Sequence, residues 1–403
     1  MIGLLAPFFL FPSINYIGLL IIIPLIWICR RIVKKEFIER TILDWAIAIL
    51  LIQVFATCII VPDLSFSLPK IAGVLFGVFF FYSAVALLIS RKLIKFGIAA
   101  FLGGGLILSV VGLLGIKWTH VLHFEKMILK IAENIPKIKT NLPGAQYRFN
   151  SNAIGGVLIL IIPLSLLILL SYLKGKKENY LIVYKPFALM FFSVILFVLC
   201  SVLFLTQSLS SWLGILIGIW ILLFPFKWKK WSVILILLSV VCLALLDTNK
   251  TKLIIDEVKI DIAFREPWWL EGTNTIIQHP FFGIGMNQFR QIPSIGYEIA
   301  HAHNHPLHTA AELGIPGLIA YLAILIGVGF MCFEIWRKSN IGWMRIAVLG
   351  LGCGQLAHLI FGIGDSIPLG AKVGIFFWFS LGLITAMYNL TIKEVQAPVE
   401  AKI

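Results

Sequence analysis

The chain has 403 residues, of which 60% are hydrophobic and 13% charged, with a mean hydropathy of +0.99 and a formal net charge of +14. These values exclude an ordinary soluble domain and predict an all-α polytopic membrane protein. The positive charge is explained by topology and attraction to anionic membrane lipid, so no nucleic-acid partner is implied.

Apolar runs able to cross about 30 Å of hydrocarbon, roughly 20 residues each, recur at 3–29, 42–61, 69–89, 96–116, 153–173, 186–206, 212–226, 231–247, 316–335, 343–363 and 370–389. The run at 212–226 is short. The first contains Pro7, Pro12, Asn15 and Pro24, so it reads as a kinked span or as a short re-entrant piece followed by a helix. The expected total is therefore about 11–12 transmembrane helices. Without a basic leader or a small-x-small cleavage site, the first run is not read as a removable signal peptide. Most of the 33 Lys and Arg fall in alternate connections: Arg30 to Arg40, 91–95, 174–185, 227–230, 337–345 and the C-terminal tail. The short opposite loops carry only Lys70 and Lys372. The positive-inside rule then makes the basic connections and the C-terminus cytoplasmic.

Five regions follow: N-terminal helices at 1–116, a first outer loop at 117–152, middle helices at 153–247, a large outer loop at 248–315, and C-terminal helices with a cytoplasmic tail at 316–403. All six cysteines fall inside expected spans, so the outer loops are not expected to form disulfides. No CxxC zinc pattern or internal repeat is visible.

The large outer loop ends in His301, His303, His305 and His308, four histidines ahead of a span, where lipid would be costly to them. They belong at the membrane surface or in a wet cavity, as base, ligand or cap. Joint ligation of zinc or copper is a further reading, although no nearby Asp or Glu supplies a second shell. His301 and His305 read as plain interfacial polar groups. Asn304, His305 and Pro306 are helix-starting residues, and the segment to Leu313 reads as one short helix ended by Gly314. Pro316 suits the first turn of the next span, so Gly314 to Gly317 is a hinge. Arg265 could form a surface ion pair with Asp261, Glu266 or Glu271 instead of binding a ligand. Trp268 and Trp269 suit either a membrane-interface belt or a sugar-stacking platform. Gly283 and Gly285 read as a turn, and Asp365 with Lys372 as a short-loop pair.

His303-Asn304, nine residues, then Gly314-x-x-Gly317 resembles the HN-x9-GxxG signature of the O-antigen ligase and Wzy-type polysaccharide polymerase superfamily, with Glu312 at its usual acidic position. Further segments resemble that family in the same order. They are Phe149-Asn150-Ser151-Asn152 with Gly155 at the start of a middle helix, Leu205-Thr206-Gln207-Ser208, and Arg265-x-x-Trp268 followed by Pro280 to Gly285 and Phe289. His358, Asp365 and Lys372 resemble a C-terminal pattern. Where relatives commonly have Ser-Arg-Gly, this chain has Ser208-Leu209-Ser210, and Lys117, Arg148 and Arg290 are substitutes for the missing charge.

The resemblance implies a glycosyltransferase of the bacterial inner membrane, without cofactor or metal, facing the periplasm or cell exterior. It would move a glycan from an undecaprenyl diphosphate carrier to an acceptor hydroxyl. The acceptor would be lipid A core sugar, a growing polysaccharide or a protein glycan. His303 and Arg265 would be catalytic, and Asn304, Glu312, Trp268, Asn152, Arg148, Lys117 and Arg290 would bind substrate. Chemistry on an outer face agrees, because nucleotide sugars are absent there and the donor must arrive already activated. Its diphosphate leaving group needs charge neutralisation, which arginine gives bidentately, and the acceptor needs a base, which neutral histidine suits. The alternative is a transporter or flippase for an anionic or lipid-linked solute, but the expected spans are nearly free of the charges such a pathway uses.

Overall fold

A computed structural model describes residues 40–116, 150–174, 184–223, 248–292 and 301–400, with isolated positions between 22 and 33 and at Ile135. The first apolar run, the run at 231–247 and most of the loop 117–152 lie outside the described residues. So do Lys117 and Arg148.

Among the described residues the chain is helical and has no strand. The helices are α1 (Asp44–Ile60), α2 (Leu64–Leu87), α3 (Arg91–Gly115), α4 (Ser151–Leu173), α5 (Lys185–Thr206), α6 (Leu209–Leu223), α7 (Thr248–Gln278), α8 (His305–Lys338), α9 (Gly342–Gly364) and α10 (Ile375–Glu400). Seven of the described helices are long and apolar enough to cross a membrane; α1 and α6 are shorter apolar helices. Nine of the eleven expected spans thus coincide with apolar helices. The large outer loop differs from expectation, because its first 31 residues form α7, a helix with Pro267 inside it.

The core sits around α4, which is buried almost continuously from Ile154 to Ser165 and packs against α3, α5, α6 and α9. Without a hydrophobic force between helices in lipid, close approach depends on small residues. Gly350 and Gly354 of α9 lie so near α4 that a Cβ on either would overlap the backbone of Leu164 or Leu160. Gly73 on α2 and Gly370 before α10 meet in the same way.

Charged groups gather at the two ends of the bundle. At one end Arg91 pairs with Glu394 at 2.9 Å, Lys95 lies over the Trp343 ring, and Glu334 holds Arg337 and Lys338. The other end holds the starts of α2, α4 and α8, the end of α9, and the loop between α7 and α8.

That loop explains the paired glycine motifs. Gly314 has φ +71° and breaks α8 into a short helix and a span where the sequence predicts the break, but the short helix is largely buried, not on the surface as expected. The turn at 280–285 nests in this break: Ile284 N and Gly285 N donate to Ala311 and Glu312 carbonyls at 3.0 Å, and Ile315 N donates to Pro280 O at 2.7 Å. A Cβ at Gly314 would overlap Phe281 O, and one at Gly283 (φ +65°) would overlap Glu312. Gly314→Ala therefore combines the strain of a positive-φ, extended conformation (ψ 176°) that is essentially glycine-only, about 1–3 kcal/mol, with a backbone clash. It should lower the unfolding midpoint in detergent by several degrees, and an unchanged midpoint would disprove the nesting.

Candidate active site

The site is assembled where the short helix of α8 meets the turn after α9. Asn304 caps α8, its Oδ1 accepting from Leu307 N at 2.9 Å, while its Nδ2 donates to Ile363 O at 3.2 Å. This clamp fixes the preceding residues against the end of α9. His303 sits just outside the cap with φ 48°, a left-handed conformation that a non-glycine residue adopts only under local constraint.

His303 Nδ1 lies 3.3 Å from Asp365 Oδ1, and His301 Nε2 lies 3.8 Å from the same oxygen. The His303 approach is close but off the line of a hydrogen bond, leaving Nδ1 and Asp365 Oδ2 buried and unbonded among the described residues. Loose contacts of this kind are usual before substrate binds. Asp365 Oδ1 also accepts from Ser366 N at 2.8 Å. Burial raises the Asp365 carboxyl, but His303 and His301 outweigh it and hold the group below its ordinary value. It is therefore ionised at neutral pH. Burial lowers His301 to about 4; Asp365 opposes this shift, while His303, Lys70 and Arg290 add to it, so His301 is neutral.

The four histidines do different things. His303 is the most open, its side chain 21% exposed against 10% for His301 and 3% for His308. His301 Nδ1 accepts from His303 N at 3.3 Å and its ring packs against that of His303. His305 is buried, Nδ1 3.0 Å from Ser366 Oγ and its ring edge-on to Tyr321. His308 faces Glu312 at 3.4 Å across one helical turn. The expectation that His301 and His305 are plain interfacial groups is thus corrected: His301 packs toward Asp365 at the end of α9, and His305 against Ser366 and Tyr321.

Arg265 reaches the same turn from α7, Nη1 donating to Gly364 O. The Leu205 to Ser208 turn arrives there too: a Cβ on Gly364 would lie 2.8 Å from Ser210 Oγ and 3.4 Å from Arg265 Nη1. Leu209, the residue before Ser210, is 43% exposed. Trp268 is buried against Phe264, which also packs its ring near His303. That placement excludes an exposed belt role for Trp268.

Glu312 is buried, its Oε1 accepting from Phe289 N at 3.4 Å, and it interacts electrostatically with Lys70 and Arg290. Arg290 leans over the Phe66 ring at 6.0 Å. Asn150 caps α4 by accepting from Asn152 N and Ala153 N, which leaves the Asn152 side chain half-buried at the helix start. His358 Nδ1 lies 2.9 Å from Gly156 O and ties α9 to α4. Lys372 is exposed and Asp365 faces the histidines instead of it.

Sequence reasoning missed Asp365 as the partner of His303 and Lys70 as part of the Glu312 cluster. One signal was available for Asp365: an acidic residue at the end of an apolar span is costly without a partner.

Residues 192–322 match the family model for the O-antigen ligase domain, Wzy_C. The matched segment contains Arg265 and His303. Asp365 lies beyond it. No curated protein matches the chain.

Proposed function

We propose, from the match of residues 192–322 to the O-antigen ligase domain model, which supports glycan transfer of ligase or polymerase type, that the chain moves a glycan from an undecaprenyl diphosphate carrier to an acceptor hydroxyl, at the periplasmic or outer face of a bacterial inner membrane. The observation that carries this reading is the convergence of His303 and Arg265, from separate elements, on the Gly364 to Ser366 turn.

His303 is the base. Asp365 beside Nδ1 favours the tautomer with its proton there, leaving the Nε2 lone pair for the acceptor. As the acceptor oxygen bonds to the anomeric carbon, its proton passes to Nε2. The bond from that carbon to the diphosphate oxygen breaks, and its electron pair leaves with the phosphate. Arg265, one hydrogen bond from the turn, neutralises the charge that develops there. Arg290 and Lys70, partly offset by Glu312, supply further positive charge near the site, and Arg290 stands in for the arginine replaced by Leu209. Asn304 and Trp268 shape the wall of the site through the cap and the edge-on contact with Phe264. Asn152, Lys117 and Arg148 are proposed donor or acceptor contacts from the start of α4 and the loop before it. Because arginine meets the leaving-group charge and the donor is already activated, the reaction needs neither metal nor nucleotide.

The deciding experiment is transfer by purified protein in nanodiscs, with lipid-linked glycan, an acceptor, excess EDTA and no nucleotide. Glycan should appear on the acceptor with release of the lipid diphosphate. Substrate moved across the bilayer without a new glycosidic bond would establish the transporter reading instead.

A further inference from the structure

We propose that His301, His303 and Asp365 form a binding site for one zinc ion, and that zinc bound there switches the catalytic base off. The inhibitory half rests on the role given to His303; the binding half does not.

Two imidazole nitrogens and a carboxylate oxygen lie within 4.8 Å of one another, on residues drawn from the loop before α8 and the end of α9. Zinc binds histidine nitrogen and carboxylate oxygen at about 2.0–2.2 Å in a tetrahedron, which places neighbouring ligand atoms about 3.3 Å apart. The separations from Asp365 Oδ1 are 3.3 Å to His303 and 3.8 Å to His301, so a small side-chain adjustment closes the set. Two imidazoles with one carboxylate select zinc over the harder magnesium and calcium. An independent observation points to a ligand. Asp365 is 2% exposed, yet its Oδ2 has no hydrogen-bond partner among the described residues. Buried polar atoms are rarely left so. Oδ1 is already oriented by Ser366 N, as ligating carboxylates generally are. The other histidines are committed elsewhere, His305 to Ser366 and His308 to Glu312, which leaves the fourth tetrahedral position to water or Oδ2.

The inhibition follows from proton placement. A neutral imidazole carries one ring proton. With zinc on His303 Nδ1, that proton must sit on Nε2, the nitrogen that otherwise accepts the acceptor's proton. Zinc on His301 Nε2 likewise puts the His301 proton on Nδ1, giving up the 3.3 Å contact with His303 N. Zinc therefore caps the base and loosens the turn that presents it.

The test uses tag-free, EDTA-washed protein in nanodiscs, with zinc binding read by equilibrium dialysis and transfer read separately. The wild type should bind one zinc per chain and lose at least tenfold in transfer rate at saturation, with recovery on adding EDTA. His301→Ala, and His301→Phe as a variant that keeps the ring packing, should bind zinc about 100-fold more weakly, and whatever zinc-free rate each retains should not fall when zinc is added. No zinc bound by the wild type, or equal binding by both variants, would overturn the site. Activity abolished by EDTA and restored by zinc would overturn the inhibitory role. If zinc-free wild type transfers no glycan while dialysis shows a His301-dependent zinc, the functional reading fails and the metal site stands.

Discussion

His303→Ala should cut glycan transfer about 100-fold or more, the scale on which loss of a general base is felt, while the protein still inserts and purifies as a single species. The expectation rests on how His303 is held. It lies outside the Asn304 cap, so its side chain supports no helix. Its φ of 48° is maintained by the clamps on either side of it and not by its ring. It is also the most exposed of the three histidines that face a carboxylate. His305→Ala should behave in the opposite way. That ring is packed on Tyr321 and lies 3.0 Å from Ser366, so its removal leaves a cavity and should lower thermal stability more than it lowers the rate per folded molecule. A transfer assay normalised to folded protein, beside a thermal melt, separates the two. Near-normal transfer by His303→Ala would remove the base from the mechanism, and equal rate losses for both variants would leave nothing particular to His303.

Much of this arrangement is legible in the sequence because it is local. Apolar runs of the right length become helices. The Asn304 cap and the Gly314 break depend on residues within a turn of one another, and both occur where the residues alone place them. The site residues matched one by one to the resembled family, His303 and Arg265, end on one turn. What stays hidden is pairing over distance. Asp365 reads as a loop partner for Lys372, seven residues on, because nothing in the chain announces that the end of α9 will lie against the loop before α8. The inward turn of His301 and His305 depends on that packing as well. α7 is hidden for another reason: its composition is too polar for a span, and Pro267 interrupts the pattern by which a helix is recognised. It nevertheless forms, and it carries Arg265 to Gly364.

Arg265 is expected to divide sharply between its two replacements. Alanine removes both the charge and the tie to Gly364, and transfer should fall about 100- to 1,000-fold, the range seen when one donor to a developing negative charge is lost. Lysine keeps the charge, but an ammonium lacks the planar fork with which a guanidinium engages a phosphate bidentately. Arg265→Lys should therefore lose about tenfold or more, with the deficit in kcat more than in KM if the missing contact is made mainly as the diphosphate departs. Leu209→Arg is the natural complement: it restores a guanidinium at an exposed position one residue before Ser210, whose Oγ faces Gly364, and should recover part of the rate lost in Arg265→Lys. Were both Arg265 variants to lose folded protein together, the residue's contribution would be to folding and not to the leaving group. A folded Arg265→Ala with undiminished transfer would instead move the leaving-group charge to Arg290 and Lys70, which already share the field of Glu312.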